Sequence, residues 1–241
     1  MDAPLDRLRI VLCRPSHPGN IGAAARAMKT MGITDLRLVA PERFPAPEAQ
    51  WMATHAVDVL QAARVHASLG EALADCVAAF ALSARRRERS PQVLAARDAA
   101  RRALERALRG PVAFVFGSES AGLTNEELFA CQHLVHIPAS PMYRSLNLAQ
   151  AVQVICYEIF VAAGAMVPAA RAGKLATVED LEGLYAHLER AAVESRFLVP
   201  GSGSKLRERW RRLFSRVPEL EREEVNILRG LLKALQKTRN Q

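Results

Sequence analysis

Residues 112–128 read VAFVFGSESAGLTNEEL. Val112 to Phe116 form an unbroken apolar run between Pro111 and Gly117, the pattern of a strand buried on both faces. A polar, glycine-containing turn follows, and Thr124-Asn-Glu-Glu127 has capping-box spacing, which opens a helix. A doubly buried strand that feeds a helix through a tight turn is the unit of a parallel sheet covered on both sides.

The same alternation extends outward in both directions. Upstream stand the strand patterns Leu8–Cys13 (LRIVLC) and Asp35–Val39 (DLRLV), the second stopping ahead of Pro41, and the apolar run Cys76–Leu82. Between them lie a helical pattern over Ile21–Met31 with Asn20 as its N-cap, a short helix over Glu71–Ala74 and a long exposed helix over Pro91–Leu108. Downstream come a strand over Leu134–Ile137 and a helix over Leu148–Ala163, with apolar residues at 152, 155, 156, 159 and 160. Residues 1–165 therefore read as one α/β domain with a mostly parallel sheet. Residues 166–177, with Pro168 and Gly173, read as a linker. Residues 178–241 carry helix signals only, over Val178–Ser195, Lys205–Phe214 and Pro218–Leu235, interrupted by PGSGS (Pro200–Ser204).

Composition narrows the function. Half of the 241 residues are apolar, which is globular. No apolar run reaches the roughly 18 residues of a membrane span, and the N-terminal residues run directly into a strand pattern without a secretory segment. The four cysteines, Cys13, Cys76, Cys131 and Cys156, are scattered and form no CxxC pair. That spacing argues against structural zinc or a disulfide framework and for buried thiols in a cytoplasmic protein. His17, His55 and His133 have no ligand-like spacing either, so no metal is expected. The net charge of +8 points to an anionic partner, nucleic acid first. Arginine outnumbers lysine, which suits bidentate phosphate contact and equally suits a GC-rich genome. From residue 165 onward there are 15 basic and 10 acidic residues, so the tail carries +5 of that charge.

Four segments follow strands, where ligands of open α/β sheets bind. The first, residues 14–26 (RPSHPGNIGAAAR), leads from a strand into a helix that presents Arg26. The second is the Gly117–Leu123 turn with Glu119 at the mouth of the sheet. The third, residues 137–147 (IPASPMYRSLN), ends on Ser145 and Asn147, both able to cap the last long helix. The fourth is Leu82-Ser83-Ala84 followed by Arg85, Arg86, Arg87 and Arg89, a patch suited to phosphates. Each of the first three turns reads equally well as helix capping, and the arginine run as a solvated loop. No segment has the GxxxxGK[ST] or GxGxxG pattern of nucleotide-binding loops.

Taken together, PSHPGNIGAAARAMKTMG (15–32), FVFGSESAGLTNEEL (114–128) and IPASPMYRSLNLAQAVQV (137–154) resemble, in order and spacing, the three motifs of the SPOUT superfamily of RNA 2′-O-methyltransferases. LSARRRERS (82–90) and the tail segments KLRERWRRLF (205–214) and EEVNILRGLL (223–232) are similar to those of bacterial tRNA (cytidine/uridine-2′-O-)-methyltransferases, which act on position 32 of the anticodon loop. The resemblance implies a SPOUT-type parallel sheet whose C-terminal part is a deep trefoil knot, followed by a small all-helical module. It implies S-adenosyl-L-methionine held by Leu82, Ser83, Ala84, Gly117, Glu119, Ile137, Arg144, Ser145 and Leu146. It assigns the catalytic work to Arg26, Ser145, Asn20 and Asn147 in a homodimer with the site at the subunit interface. Arg14, Arg85, Arg86, Arg87, Lys205, Arg209 and Arg212 are expected to hold the RNA. RNA rather than DNA follows from a 2′-OH acceptor. An rRNA 2′-O-methyltransferase of the same superfamily and a non-catalytic RNA-binding protein of that fold are the competing expectations.

Overall fold

A computed structural model describes residues 4–84, 92–143, 145–164, 173–199, 204–217 and 220–239. In chain order the first half holds β1 (Leu8–Cys13), α1 (Pro18–Thr30), β2 (Asp35–Val39), α2 (Pro47–Ala53), α3 (Val57–Gln61), β3 (Arg64–His66), α4 (Leu69–Leu73) and β4 (Ala78–Leu82). The sheet domain continues through β5 (Gln92–Ala95), α5 (Ala96–Ala107), β6 (Val112–Phe116), α6 (Asn125–Phe129), β7 (His133–His136) and α7 (Leu148–Ala163). The tail contributes α8 (Val178–Glu194), α9 (Ser204–Phe214) and α10 (Arg222–Arg239).

The strands form one seven-stranded sheet in the order β3-β2-β1-β6-β4-β7-β5. Every neighbouring pair is parallel. The VAFVF run is β6, in the middle, and its period of two divides the core. Val112, Phe114 and Phe116 pack with Leu8, Ile10 and Leu12 on the face that carries α1, α5 and α7. Ala113 and Val115 pack with Val11, Cys13 and Leu128 on the other face, where α4 and α6 lie. Burial on both faces explains why these strands read as continuous apolar runs.

Three local expectations are corrected and one strand is added. Helix α1 begins at Pro18 rather than at Ile21; His17 is its N-cap, accepting from the Gly19 amide at 3.1 Å through Nδ1, with Pro18 in the first turn. The segment read as one helix over 91–108 begins with β5, which pairs with β7 at the sheet edge. β3 was not anticipated, because two of its three residues are exposed and it carries no apolar run. The stretch read as a linker is docked where it is described: Leu175 and Ala176 are buried, the Ala176 amide donates to Leu220 O at 2.9 Å, and the Val178 amide donates to Cys76 O at 2.7 Å.

The three tail helices share their own core, in which Leu184, Tyr185 and Val225 are surrounded by Trp210, Phe214, Leu228 and Leu232. Arg211 lies 5.1 Å above the Tyr185 ring and forks onto Glu182, and one of its nitrogens reaches Phe129 O at 3.5 Å, tying α9 to α6. Among the described residues, no helix is long and apolar enough to cross a membrane.

Candidate active site

The sheet order sets β6, β4 and β7 side by side, so the loops leaving their C-terminal ends emerge together. Those loops, with the segment ahead of α7, enclose a cleft of about 190 Å³ lined by Leu82, Ser83, Ala84, Gly117, Glu119, Ile137, Ser145 and Leu146. Positions spread over sixty residues of sequence thus share one cavity. Arg144, the remaining position expected there, lies outside the described residues, as do Arg85, Arg86 and Arg87.

The shape of the cleft depends on the 117–122 turn. Ser118 and Gly122 form an antiparallel bridge, with the Gly122 amide donating to Ser118 O at 2.9 Å. A Cβ on Gly117 would sit 2.0 Å from the Gly122 carbonyl carbon, so only glycine lets the turn close on itself. Gly122 has φ +70° and a Cβ there would meet nothing within 4 Å, so it presents bare backbone to open space.

Three loops are locked together by a directional relay of side chains. Glu119 accepts from the Ser16 amide (2.9 Å), the Ser16 hydroxyl (2.9 Å), the His17 amide (3.3 Å) and Asn20 Nδ2 (2.8 Å). Because Asn20 donates through nitrogen, its Oδ1 is free to accept, and Asn147 Nδ2 donates to it at 3.0 Å. Asn147 Oδ1 in turn accepts from the Ala149 amide at 2.9 Å and caps α7. Each amide orientation follows from the previous one, starting from a group that can only accept. Partial burial pushes the Glu119 carboxyl up, but the bonds from Asn20 and Ser16 outweigh it and bring it down to about 2.

Two of the expected site residues have partners within the protein. Glu119 lines the cleft, and both its oxygens accept from the 16–20 segment. The guanidinium of Arg14, a residue expected to hold RNA, forks onto Glu127, the carboxylate of the capping box that starts α6. Burial pushes the Glu127 carboxyl up, and the Arg14 and Thr124 hydrogen bonds bring it below its ordinary value. Arg14 and Glu127 join the first loop to the second, as Asn20 and Glu119 do.

The catalytic candidates fall in three places. Asn20 and Asn147 belong to the relay, and Ser145 is exposed on the cleft wall. Arg26 is exposed on the third turn of α1, about 12 Å along the axis from Pro18. It is not among the cleft-lining residues and its guanidinium makes no hydrogen bond or ion pair among the described residues. On α9, Arg207 and Arg211 are paired with Glu189 and Glu182. Lys205, Arg209 and Arg212 are exposed, have no ion-pair partner among the described residues, and follow i, i+4, i+7 spacing, hence one helix face. The sequence reading missed the Ser16 and His17 amides as ligands of Glu119; the cue was an acid in the second loop facing a proline-flanked turn in the first.

The cleft suits S-adenosyl-L-methionine on chemical grounds. Leu82, Ile137 and Leu146 offer apolar surface to a flat heterocycle, while Ser83, Ser145 and the bare Gly122 backbone offer polar groups to a ribose and an amino acid moiety. Among the described residues no group of three or more His, Cys, Asp or Glu is arranged to hold a metal ion.

Known proteins share this fold. The model of the SpoU rRNA methylase family matches residues 7–157, and the chain belongs to that family. Its tail, residues 179–241, matches the model of the tRNA methyltransferase TrmJ C-terminal domain. The chain is 47% identical to the tRNA (cytidine/uridine/adenosine-2′-O-)-methyltransferase TrmJ of Pseudomonas aeruginosa, over 97% of this chain and 95% of that one. The crystal structure of TrmJ from Z. mobilis superposes with a TM-score of 0.83 at 34% identity, covering 95% of this chain and 98% of that chain. A SpoU methyltransferase from Streptomyces viridochromogenes, solved in complex with AdoMet, shares the fold at 23% identity and a TM-score of 0.52, covering 65% of this chain and 57% of that chain.

Proposed function

We propose that the protein is an S-adenosyl-L-methionine-dependent tRNA 2′-O-methyltransferase that methylates the ribose at position 32 of the anticodon loop, and that it acts in the cytoplasm. The observation that carries this reading is the convergence of the three motif loops on one cleft, combined with a free basic face on a tail similar to those of tRNA-modifying relatives. That tail favours tRNA over rRNA, and the intact cleft and relay favour an enzyme over a passive RNA binder.

Bound in the cleft, S-adenosyl-L-methionine supplies an electrophilic methyl group. The chain's own task is to hold the sugar hydroxyl in line with that methyl and to stabilise the oxygen as its proton leaves. Leu82, Ser83, Ala84, Gly117, Ile137, Arg144, Ser145 and Leu146 hold the cofactor, largely through backbone groups. Arg26 orients the 2′-OH and the adjacent phosphate. A guanidinium stays charged at neutral pH, so it stabilises negative charge instead of taking the proton. Ser145 or a substrate phosphate relays the proton. Glu119, Asn20 and Asn147 keep the three loops in register.

Arg26 lies outside the cleft of its own chain, which fits a site completed by a second protomer of a homodimer. The resemblance also supports a trefoil knot. β7 lies between β4 and β5, which are consecutive strands in the chain, a sheet order in keeping with a knotted C-terminal part. Knots are rare, and here one presses three loops into a single cavity. Lys205, Arg209 and Arg212 bind tRNA phosphates, and the 2′-OH excludes DNA. Mass spectrometry of tRNA from a strain lacking the gene tests the reading. Loss of one ribose methyl at position 32, restored by the wild-type gene, supports it; an unchanged tRNA methyl inventory contradicts it.

A further inference from the structure

Helix α10 carries two apolar stripes, and only one is used. Val225, Leu228 and Leu232 face the tail core. Ile227, Leu231 and Leu235 follow i, i+4, i+8 spacing along the adjoining face and are 64%, 57% and 61% exposed. A solvated helix has no need for a second stripe of large aliphatic residues, and three in a row mark a contact surface.

The charges flanking the stripe indicate what covers it. Exposed Glu223 and Glu224 stand at its N-terminal end and exposed Lys237 at its C-terminal end. At 100° per residue, Glu223 and Lys237 fall on the same flank. A parallel partner helix of the same sequence would set acid against acid. An antiparallel one, with a two-fold axis at Leu231, sets Ile227 against Leu235 and brings Glu223 of each helix within a turn of Lys237 of the other. Gly230 beside the axis has open space around its Cβ position, so nothing of the chain's own blocks the approach. We infer that the outer face of α10 is a docking surface for α10 of a second copy of this chain, paired antiparallel about Leu231. One helix pair buries less than the roughly 1,200 Å² of a stable interface, so the contact is weak and reinforces association made elsewhere. The inference does not depend on the proposed chemistry.

The test is a disulfide trap in the full-length chain. All four native cysteines are buried, so an introduced thiol is the reactive one. Across a two-fold axis Leu231→Cys meets itself, whereas Asn226→Cys, exposed on another face of the same helix, does not. Under mild oxidation, more than half of Leu231→Cys chains should become reducible dimers, against fewer than a tenth for Asn226→Cys. Adding Glu223→Lys to Leu231→Cys should lower the yield several-fold, and adding Lys237→Glu as well should restore it. Three outcomes overturn the inference: Leu231→Cys stays unlinked, as it would if the stripe packed on another part of the partner or on RNA; both cysteine variants link equally; or the charge changes leave the yield unaltered.

Discussion

Replacing Glu119 by glutamine keeps the shape and removes the charge at the origin of the relay. The carboxylate accepts four hydrogen bonds, two on each oxygen. Glutamine keeps one acceptor oxygen. If its NH2 faces Asn20, that amide must flip, then Asn147 must flip, and an NH2 is finally set against the Ala149 amide that needs a cap. If the NH2 faces Ser16 instead, the Ser16 amide loses its acceptor while its hydroxyl can rotate. The second arrangement is cheaper and costs about 1–3 kcal/mol for the stranded donor. Linkage gives a similar figure. Lowering the carboxyl from 4.5 to about 2 corresponds to about 3.4 kcal/mol at about 1.36 kcal/mol per pH unit, and solvent screening of a partly exposed group brings this to roughly half. Glu119→Gln is therefore expected to lose about 2 kcal/mol at pH 7, a fall in Tm of about 4–8 °C. The sign of the pH dependence follows from the lowered folded-state value. The contribution is complete above about pH 4.5 and is lost as pH falls toward 2, with about half or more gone by pH 3. Urea unfolding of both proteins at pH 7, 5, 4 and 3 measures this directly. A gap below 0.5 kcal/mol at pH 7, or one that does not narrow below pH 4.5, refutes the reasoning.

Further expectations follow from the same geometry. Arg26→Ala should abolish methyl transfer while leaving S-adenosyl-L-methionine affinity within about two-fold of wild type, read by single-turnover kinetics and calorimetry; near-normal turnover would remove Arg26 from the mechanism. Gly117→Ala should cost about 3 kcal/mol or more, because its Cβ meets backbone that cannot retreat. Gly122→Ala should cost only about 1–2 kcal/mol, for its positive φ. Thermal denaturation of the pair checks that order. Replacing Lys205, Arg209 and Arg212 together by alanine should weaken tRNA binding and reduce the slope of log K against log salt by about 2–3, while Arg207→Ala, which breaks an internal ion pair, should change the slope far less. Filter binding across a salt series decides between them.

Elements with a local signature were legible in the sequence. β6 announced itself by five apolar residues between a proline and a glycine, α7 by its Asn147 cap and apolar spacing, and α6 by the Thr124–Glu127 box. α1 was displaced by three residues because Asn20 is the commoner cap type, although Pro18 at its first position was a usable cue. β5 was hidden because four residues running straight into a helix carry too little period to separate the two. In the site, the cleft-lining positions were readable through resemblance. The internal partners of Arg14 and Glu119 were not, since they lie about a hundred residues away and pairing at that range leaves no mark in a local pattern.

The central claim is most directly tested with an anticodon stem-loop made in two forms, one carrying the ordinary 2′-OH at position 32 and one carrying hydrogen there. Incubated with the purified protein and methyl-labelled S-adenosyl-L-methionine, the hydroxyl form should gain one label at that ribose and the deoxy form none. Equal labelling of the two forms, or none of the hydroxyl form while whole tRNA is also refused, would contradict it.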